Sequence, residues 1–412
     1  MFKIPTIKVK RTLLPGLVTI WLYSGFVRLY LFPQFAQIIY FLPYAILALI
    51  TLRLFFQEAI QKSYYFLYLC LLFSSLIFQS VHIMFGNIDF KTAIYGLSLY
   101  IIPLALITQM PLSVKCNSNH KCERIILNSV IPNFILVVLQ TLNSSPRYLP
   151  TLDNTEHLES ANGVARAFGT FSSTTGFSYY LTLCTCILII DSKNIRTGTR
   201  YLYWICIPAM YILSGSRTVI FSAISLILIS FLFGGARIFR ALRLSMSIRI
   251  ILVTLFSVIL VRLYFWHVFE AFAIRFQTAS QQENTIRRIT NSIFGFLSQS
   301  SNTLWGEGLG SRSIGTYSYS LSSGWIENDL PRIIVEAGPI LGLLIIFARW
   351  LFIGWLLFSQ AKYTGFQRHS RALLIGAVFP VVLFGQFMGQ GSLSLGVWIT
   401  IFLCLTIPKS AS

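Results

Sequence analysis

The feature that most constrains this chain is a succession of apolar stretches, most of them near bilayer-crossing length, from one end to the other. Twelve can be read, at 13–32, 36–54, 64–82, 92–109, 125–142, 166–190, 201–214, 218–234, 250–267, 333–357, 372–389 and 392–408. A helix needs roughly 20 apolar residues to cross the hydrocarbon core. Little polar sequence is then left to cover a soluble surface: 11% of the residues are charged, against about 25% in soluble domains. An ordinary soluble enzyme and a disordered chain are both excluded. So is a disulfide scaffold, since seven Cys in 412 residues are sparse. The expected fold is an all-α polytopic membrane helix bundle of about 12 transmembrane helices with one large extracytoplasmic loop. The stretches 201–214 and 218–234 are taken as two spans, because about 34 apolar residues would overshoot a bilayer. Pro208 and the Gly215 turn also favour a break there.

The formal net charge is +19. Nucleic-acid binding would gather that charge on one face, whereas membrane topology would distribute it over alternate loops. With the basic start (Lys3, Lys8, Lys10, Arg11) placed in the cytoplasm, alternate loops collect 20 of the 32 basic residues and only Glu58, Glu123 and Asp191 among the acids. The remaining 12 basic and 10 acidic residues nearly cancel. The lipid bilayer is therefore the expected environment, with no nucleic-acid partner and both termini cytoplasmic. The N-terminus reads as a signal anchor retained as the first span.

Four regions follow: segments one to five in 1–142, segments six to nine in 143–267, an extracytoplasmic loop at 268–332, and the last three segments in 333–412. A first outer loop, 143–165, carries Arg147, Asp153, Glu156, His157 and Glu159. The second, 268–332, is long enough to imply function. From Phe269 to Phe296 its apolar residues fall at helical spacing, which predicts an amphipathic helix at the membrane surface. The glycines 306, 308, 310 and 315 predict irregular backbone after it.

A charge at membrane depth needs a reason to be there. Arg217, in Ser214-Gly215-Ser216-Arg217, sits at an outer boundary between two spans. The hydroxyls and amides of that turn, with one planar guanidinium, suit a phosphate; the bland alternative is an arginine snorkelling to the headgroups. Arg166 opens the sixth span in Arg166-Ala167-Phe168-Gly169-Thr170-Phe171 under the same two readings. Arg28 and Arg262 fall near outer ends and read as snorkelling, and Arg349 has no evident place. In the large loop, Arg288 and Arg312 are candidate substrate contacts, and Glu327 and Asp329 are candidate general bases. Glu336 falls about one turn inside the tenth span, four residues after Arg332, so the two share a helix face. They are either substrate-binding or a structural ion pair. Cys116, His120 and Cys122 lack a fourth ligand for zinc, and no His-rich or paired-acid metal motif appears.

Three pieces together resemble the bacterial O-antigen ligase and O-antigen polymerase family. Arg166 to Phe171 is similar to its Arg-x-x-Gly-x-Phe entry to a span, and Ser214 to Arg217 is similar to its Ser/Thr-Gly-Ser-Arg turn. Trp305 to Gly310, followed by Glu336-Ala337-Gly338-Pro339-Ile340-Leu341-Gly342, is similar to its late outer loop and Glu-x-Gly-x-x-Gly span start. The resemblance covers about 166–345. It implies a helical membrane glycosyltransferase on the outer face of the bacterial cytoplasmic membrane, in surface or exopolysaccharide biosynthesis. The donor would be a polyprenyl-diphosphate-linked oligosaccharide (undecaprenyl diphosphate) and the acceptor a glycan hydroxyl. Arg217 and Arg166 would grip the diphosphate, Ser214 and Ser216 would assist, and no nucleotide sugar, metal or other cofactor would be needed. Further partners would be a chain-length regulator or export proteins. No His lies between His267 and His369, where the family's ligases carry one; Glu327 or Asp329 would replace it, which favours a polymerase over a lipid A ligase. Two other classes stay open: a transporter or flippase of lipid-linked glycans, and a non-catalytic subunit of an export complex.

Overall fold

The computed structural model describes residues 13–55, 62–104, 106, 118–142, 166–191, 195–216, 222–223, 225–226, 228, 244–282, 290–291, 294–297, 304–313, 324, 326, 328–363, 365–385, 387–388 and 390–407. Among them the chain is all-helical, without strands. In chain order the α-helices are α1 (Leu13–Phe26), α2 (Ala36–Phe55), α3 (Lys62–Met84), α4 (Phe90–Tyr100), α5 (Ser118–Asn128), α6 (Val130–Leu142), α7 (Thr174–Ile190) and α8 (Thr197–Leu213). They continue as α9 (Leu244–Tyr264), α10 (Trp266–Gln282), α11 (Asp329–Ser359), α12 (Gly365–Phe384) and α13 (Gly391–Leu405). Among the described residues, four stretches are long and apolar enough to cross a membrane by length and composition: Leu14–Leu31, Phe66–Met84, His120–Leu142 and Asp329–Ser359. Twelve spans are expected from the sequence; apolar helices such as Thr174–Ile190 and Gly391–Leu405 fall short of the roughly 20 residues of a full crossing, and the span expected at 218–234 lies largely outside the described residues.

Where the sequence places breaks, side chains and glycines make them. Ser173 caps α7 by accepting from the Gly176 amide at 3.2 Å, and Asp89 caps α4 by accepting from the Thr92 amide at 2.8 Å. Hydrogen bonding from Thr92 holds the Asp89 carboxyl below its ordinary range. Helix α8 ends at Leu213, and Gly215 turns the chain at φ 60, a conformation that other residues resist. Pro208, expected to help break this stretch, sits inside a continuous α8; the glycine alone makes the stop. Glu123, counted in an inner loop on charge, already belongs to α5. The surface helix expected from Phe269 begins earlier, as α10 at Trp266, where the Arg262 guanidinium lies 5.3 Å from the Trp266 ring. The outer loop expected at 143–165 lies outside the described residues.

Helix α11 is two helices. Gly338 adopts φ 77, ψ 165, which is not helical. On a straight helix, Asp329 and Arg349 would be about 30 Å apart; instead Arg349 Nη1 donates to Asp329 Oδ2 at 3.2 Å. The chain therefore doubles back at Gly338, and residues 329–337 lie against the start of the piece that follows Pro339. Gly342, four positions past the turn, faces Ile333 and Ile334 so closely that a Cβ would have to displace them. The span expected at 333–357 is thus a short buried helix, a reversal and then one long apolar helix.

Two apolar cores result. One joins Trp21, Leu22, Phe168, Phe171, Phe177 and Tyr180 with α8, α12 and α13. The other packs Leu99 and Tyr100 of α4 and Leu309 against Leu330, Ile333, Ile334 and Ile346 of the α11 hairpin. Met388, between α12 and α13, touches both. Outside them, α3 leaves Phe66 69% and Ile77 66% exposed, an apolar surface that suits lipid rather than water.

Candidate functional site

The α11 reversal leaves carbonyls at the end of the short helix without intrahelical donors. The segment 304–313 supplies them. Glu307 N donates to Val335 O and Gly308 N to Glu336 O, both at 2.9 Å. The Glu336 side chain, fully buried, then gathers the same segment: Gly310 N donates to Oε2 at 2.9 Å, Arg312 N to Oε1 at 3.0 Å, and Tyr100 Oη to Oε2 at 2.7 Å. Gln79 of α3 fixes the other side, accepting from Leu309 N at 3.1 Å and donating to Leu309 O at 2.9 Å. The two halves of the third motif, which contribute Gly310 and Glu336 from 26 positions apart, therefore meet on one carboxylate.

Arg332 and Glu336 share a face as their spacing predicts, but the closer partner of Arg332 is Asp329. Arg332 Nη2 donates to Asp329 Oδ1 at 2.8 Å, while its Nη1 stands 3.9 Å from Glu336. Asp329 also accepts from Arg349 and, at 2.7 Å, from Met388 N. Arg349 further donates to the carbonyls of Val381, Val382 and Gly385 at the end of α12. Asp329, a candidate base in the sequence, is 1% exposed and holds three donors. This is a clasp joining α11 to the α12–α13 connection. Arg312 is held by both oxygens of Glu307, at 2.5 and 2.8 Å, and hydrogen bonding to that carboxylate raises its pKa further.

The first motif is an irregular entry to α7, held by two amide side chains from α6. Gln140 Oε1 accepts from Phe168 N at 3.0 Å and Gly169 N at 2.9 Å, and its Nε2 donates to Gly169 O and Tyr30 Oη. Asn133 Oδ1 accepts from Thr170 N at 2.9 Å. Arg166 is half-buried at the start of this turn. In the second motif, Ser214 is fully buried and donates to Tyr211 O at 2.8 Å, and Ser216 is 7% exposed. Arg217, Arg288 and Glu327 lie outside the described residues.

Gln140→Leu leaves the Phe168 and Gly169 amides buried without an acceptor. It is expected to cost about 2–6 kcal/mol at the usual 1–3 kcal/mol per unsatisfied group. Thermal unfolding of the detergent-solubilised protein measures it; a loss under about 0.5 kcal/mol would show that the amides find another acceptor.

The segment 385–392 links these parts. Met388 holds Asp329, the Gln390 side chain accepts from Ser173 Oγ at 3.3 Å, and Ser392 O accepts from Trp21 Nε1 at 2.7 Å. Beside it opens a small cleft lined by Ser24, Arg28, Tyr40, Tyr44, Ser172 and Ser392, among others. Arg28, read from sequence as snorkelling, is 8% exposed, with its guanidinium 5.3 Å from the Tyr40 ring. Sequence reasoning missed Arg28, Arg349, Gln140 and Asn133 as site builders. The signal available was their polarity within otherwise apolar stretches. Among the described residues, no group of three or more His, Cys, Asp or Glu stands ready to hold a metal.

No family model, curated protein or solved structure matches this chain.

Proposed function

We propose that this chain is a membrane-embedded glycosyltransferase that moves a glycan from a polyprenyl diphosphate to a sugar hydroxyl, as a polysaccharide polymerase rather than a lipid A ligase. The reading takes it as a protein of about 12 spans in a bacterial cytoplasmic membrane, with both termini inside and the 268–332 loop outside. The observation that carries it is the meeting of the Trp305–Gly310 segment with Glu336. A late loop fastened onto the bundle by a buried carboxylate is what a site built from both requires.

In this reading Arg166 and Arg217 hold the diphosphate and stabilise the charge that develops on it. The acceptor oxygen forms its bond to the sugar C1 as the bond from C1 to the diphosphate oxygen breaks. The acceptor proton passes to a carboxylate, and polyprenyl diphosphate leaves. Since Asp329 is taken up by two arginines and an amide, the base role falls to Glu327. Arg217→Ala is expected to lower chain elongation at least about a hundredfold, the scale of losing one charge-stabilising donor, with the protein still inserted. Surface glycans would then appear as single unpolymerised repeats. Normal polymer length in that variant rejects the enzyme.

One observation favours a second reading. A helix broken at Gly338 is a device that transporters use at substrate sites. Uptake of lipid-linked glycan by purified protein in vesicles, with no glycan product, would select that reading.

A further inference from the structure

We infer that the cleft beside Arg28 binds a phosphate group carried by a membrane amphiphile, with Arg28 as its main ligand. The other buried arginines among the described residues all have acceptors. Arg332 has Asp329, Arg349 has Asp329 and three carbonyls, and Arg371 has the Cys404 carbonyl and the Ser359 hydroxyl. Arg28 is the exception. It is 92% buried by its 8% exposure, its Nε has no hydrogen-bond partner, and its one close neighbour of note is the face of Tyr40. Burying a guanidinium without a counter-charge is heavily penalised, so its position calls for an anion.

The rest of the cleft selects which anion. Among the described residues, no acidic one lines it. The side chains of Tyr40 and Tyr44 line it, with their rings 5.9 Å apart. Ser24, Ser172 and Ser392 line it too, Ser24 Oγ donating to Trp21 O at 3.4 Å. The starts of α7 and α13 converge at its edge, with Ser173 Oγ 3.4 Å from Ser392 Oγ, so two helix N-termini add partial positive charge. A cation that donates in a planar fork, several hydroxyl donors and two helix N-termini together describe a tetrahedral oxyanion. The chain that carries it is indicated by the flank. From the turn after Arg28 into the start of α2, Leu31, Phe32, Phe35, Ile38 and Leu42 are 43–67% exposed, an apolar lane leading away from the cleft.

None of the three motifs behind the proposed function contains Arg28, and the site is tested by binding rather than by transfer. The test uses the full-length protein in a neutral detergent with three probes: farnesyl phosphate, inorganic phosphate and farnesol. Farnesyl phosphate is expected to bind, inorganic phosphate more weakly, and farnesol not at all. Arg28→Gln should weaken farnesyl phosphate binding at least about tenfold, the scale of one charge-assisted contact. Arg28→Lys should retain part of it, keeping the charge but not the fork. Ser24→Leu, which fills the cleft and leaves Arg28 in place, should match Arg28→Gln and keeps the test open if that variant fails to fold. Equal affinity for inorganic and farnesyl phosphate would support the phosphate site and overturn the amphiphile as its source. Wild-type affinity in folded Arg28→Gln, or farnesol binding as tightly as farnesyl phosphate, overturns the site. Loss of transfer in Arg217→Ala with phosphate binding intact would leave both assignments standing. Normal elongation there, with binding still lost in Arg28→Gln, would sink the proposed function alone.

Discussion

Arg332→Met will destabilise the protein by about 3–5 kcal/mol, the usual result of removing one partner from a buried ionic cluster. The size follows from what stays behind. Asp329 and Glu336 are 1% and 0% exposed, and Arg332 is the cation nearest both. Arg349 still reaches Asp329, at 3.2 Å, so the uncompensated charge falls mainly on Glu336. That carboxylate anchors the 304–313 segment through two amides, so loosening of this segment should accompany the loss. Adding Glu336→Gln should recover part of the stability, because the amide oxygen still accepts from the segment and no buried charge is left over. The cluster itself contributes less than the single substitution suggests, since buried pairs often break even against apolar side chains. Thermal unfolding in detergent, with limited proteolysis near 304–313, reads both effects. A loss below about 1 kcal/mol, with no recovery in the double variant, would show that Glu336 is not a desolvated charge in need of Arg332.

The sequence contains part of this site plainly and hides the rest for identifiable reasons. The Arg332–Glu336 pair is readable because i, i+4 spacing on a helix is local information. The stop at Gly215 is readable because glycine enters the left-handed region freely. Pro208 misleads, because proline weakens a helix without ending it when packing on both sides holds the axis. The Asp329–Arg349 contact is invisible to periodicity, since any straight-helix reading puts those residues far apart. It exists only because one glycine reverses the chain. The supports of the Arg166 turn, Gln140 and Asn133, look like incidental polar residues in an apolar helix until the buried amides they serve are known. Arg28 is the same kind of case in reverse. An arginine near the end of an apolar stretch reads as snorkelling, and only the packing of α2 over it shows that it is enclosed.

The reversal also sets the second large effect. Gly338→Ala will destabilise the protein by about 2–6 kcal/mol and detach the 304–313 segment. Two terms add. A residue with a Cβ at φ 77, ψ 165 enters a region that is essentially glycine-only, at about 1–3 kcal/mol. The new methyl would also meet the Leu304 carbonyl and the Gly306 amide, both backbone atoms that cannot rotate away, and overpacking of that kind costs about 1–3 kcal/mol more. The same substitution sixteen residues later is the control. Gly354 lies in the long helical piece with open space where its Cβ would be. There alanine should be neutral or stabilising by up to about 1 kcal/mol, from helix propensity alone. Opposite signs for one chemical change on what looks like a single continuous helix are what a break at Gly338, closed over by Leu304 and Gly306, predicts. If both variants unfold alike, the chain runs straight through, Asp329 cannot reach Arg349, and the docking of the loop onto Glu336 loses its foundation.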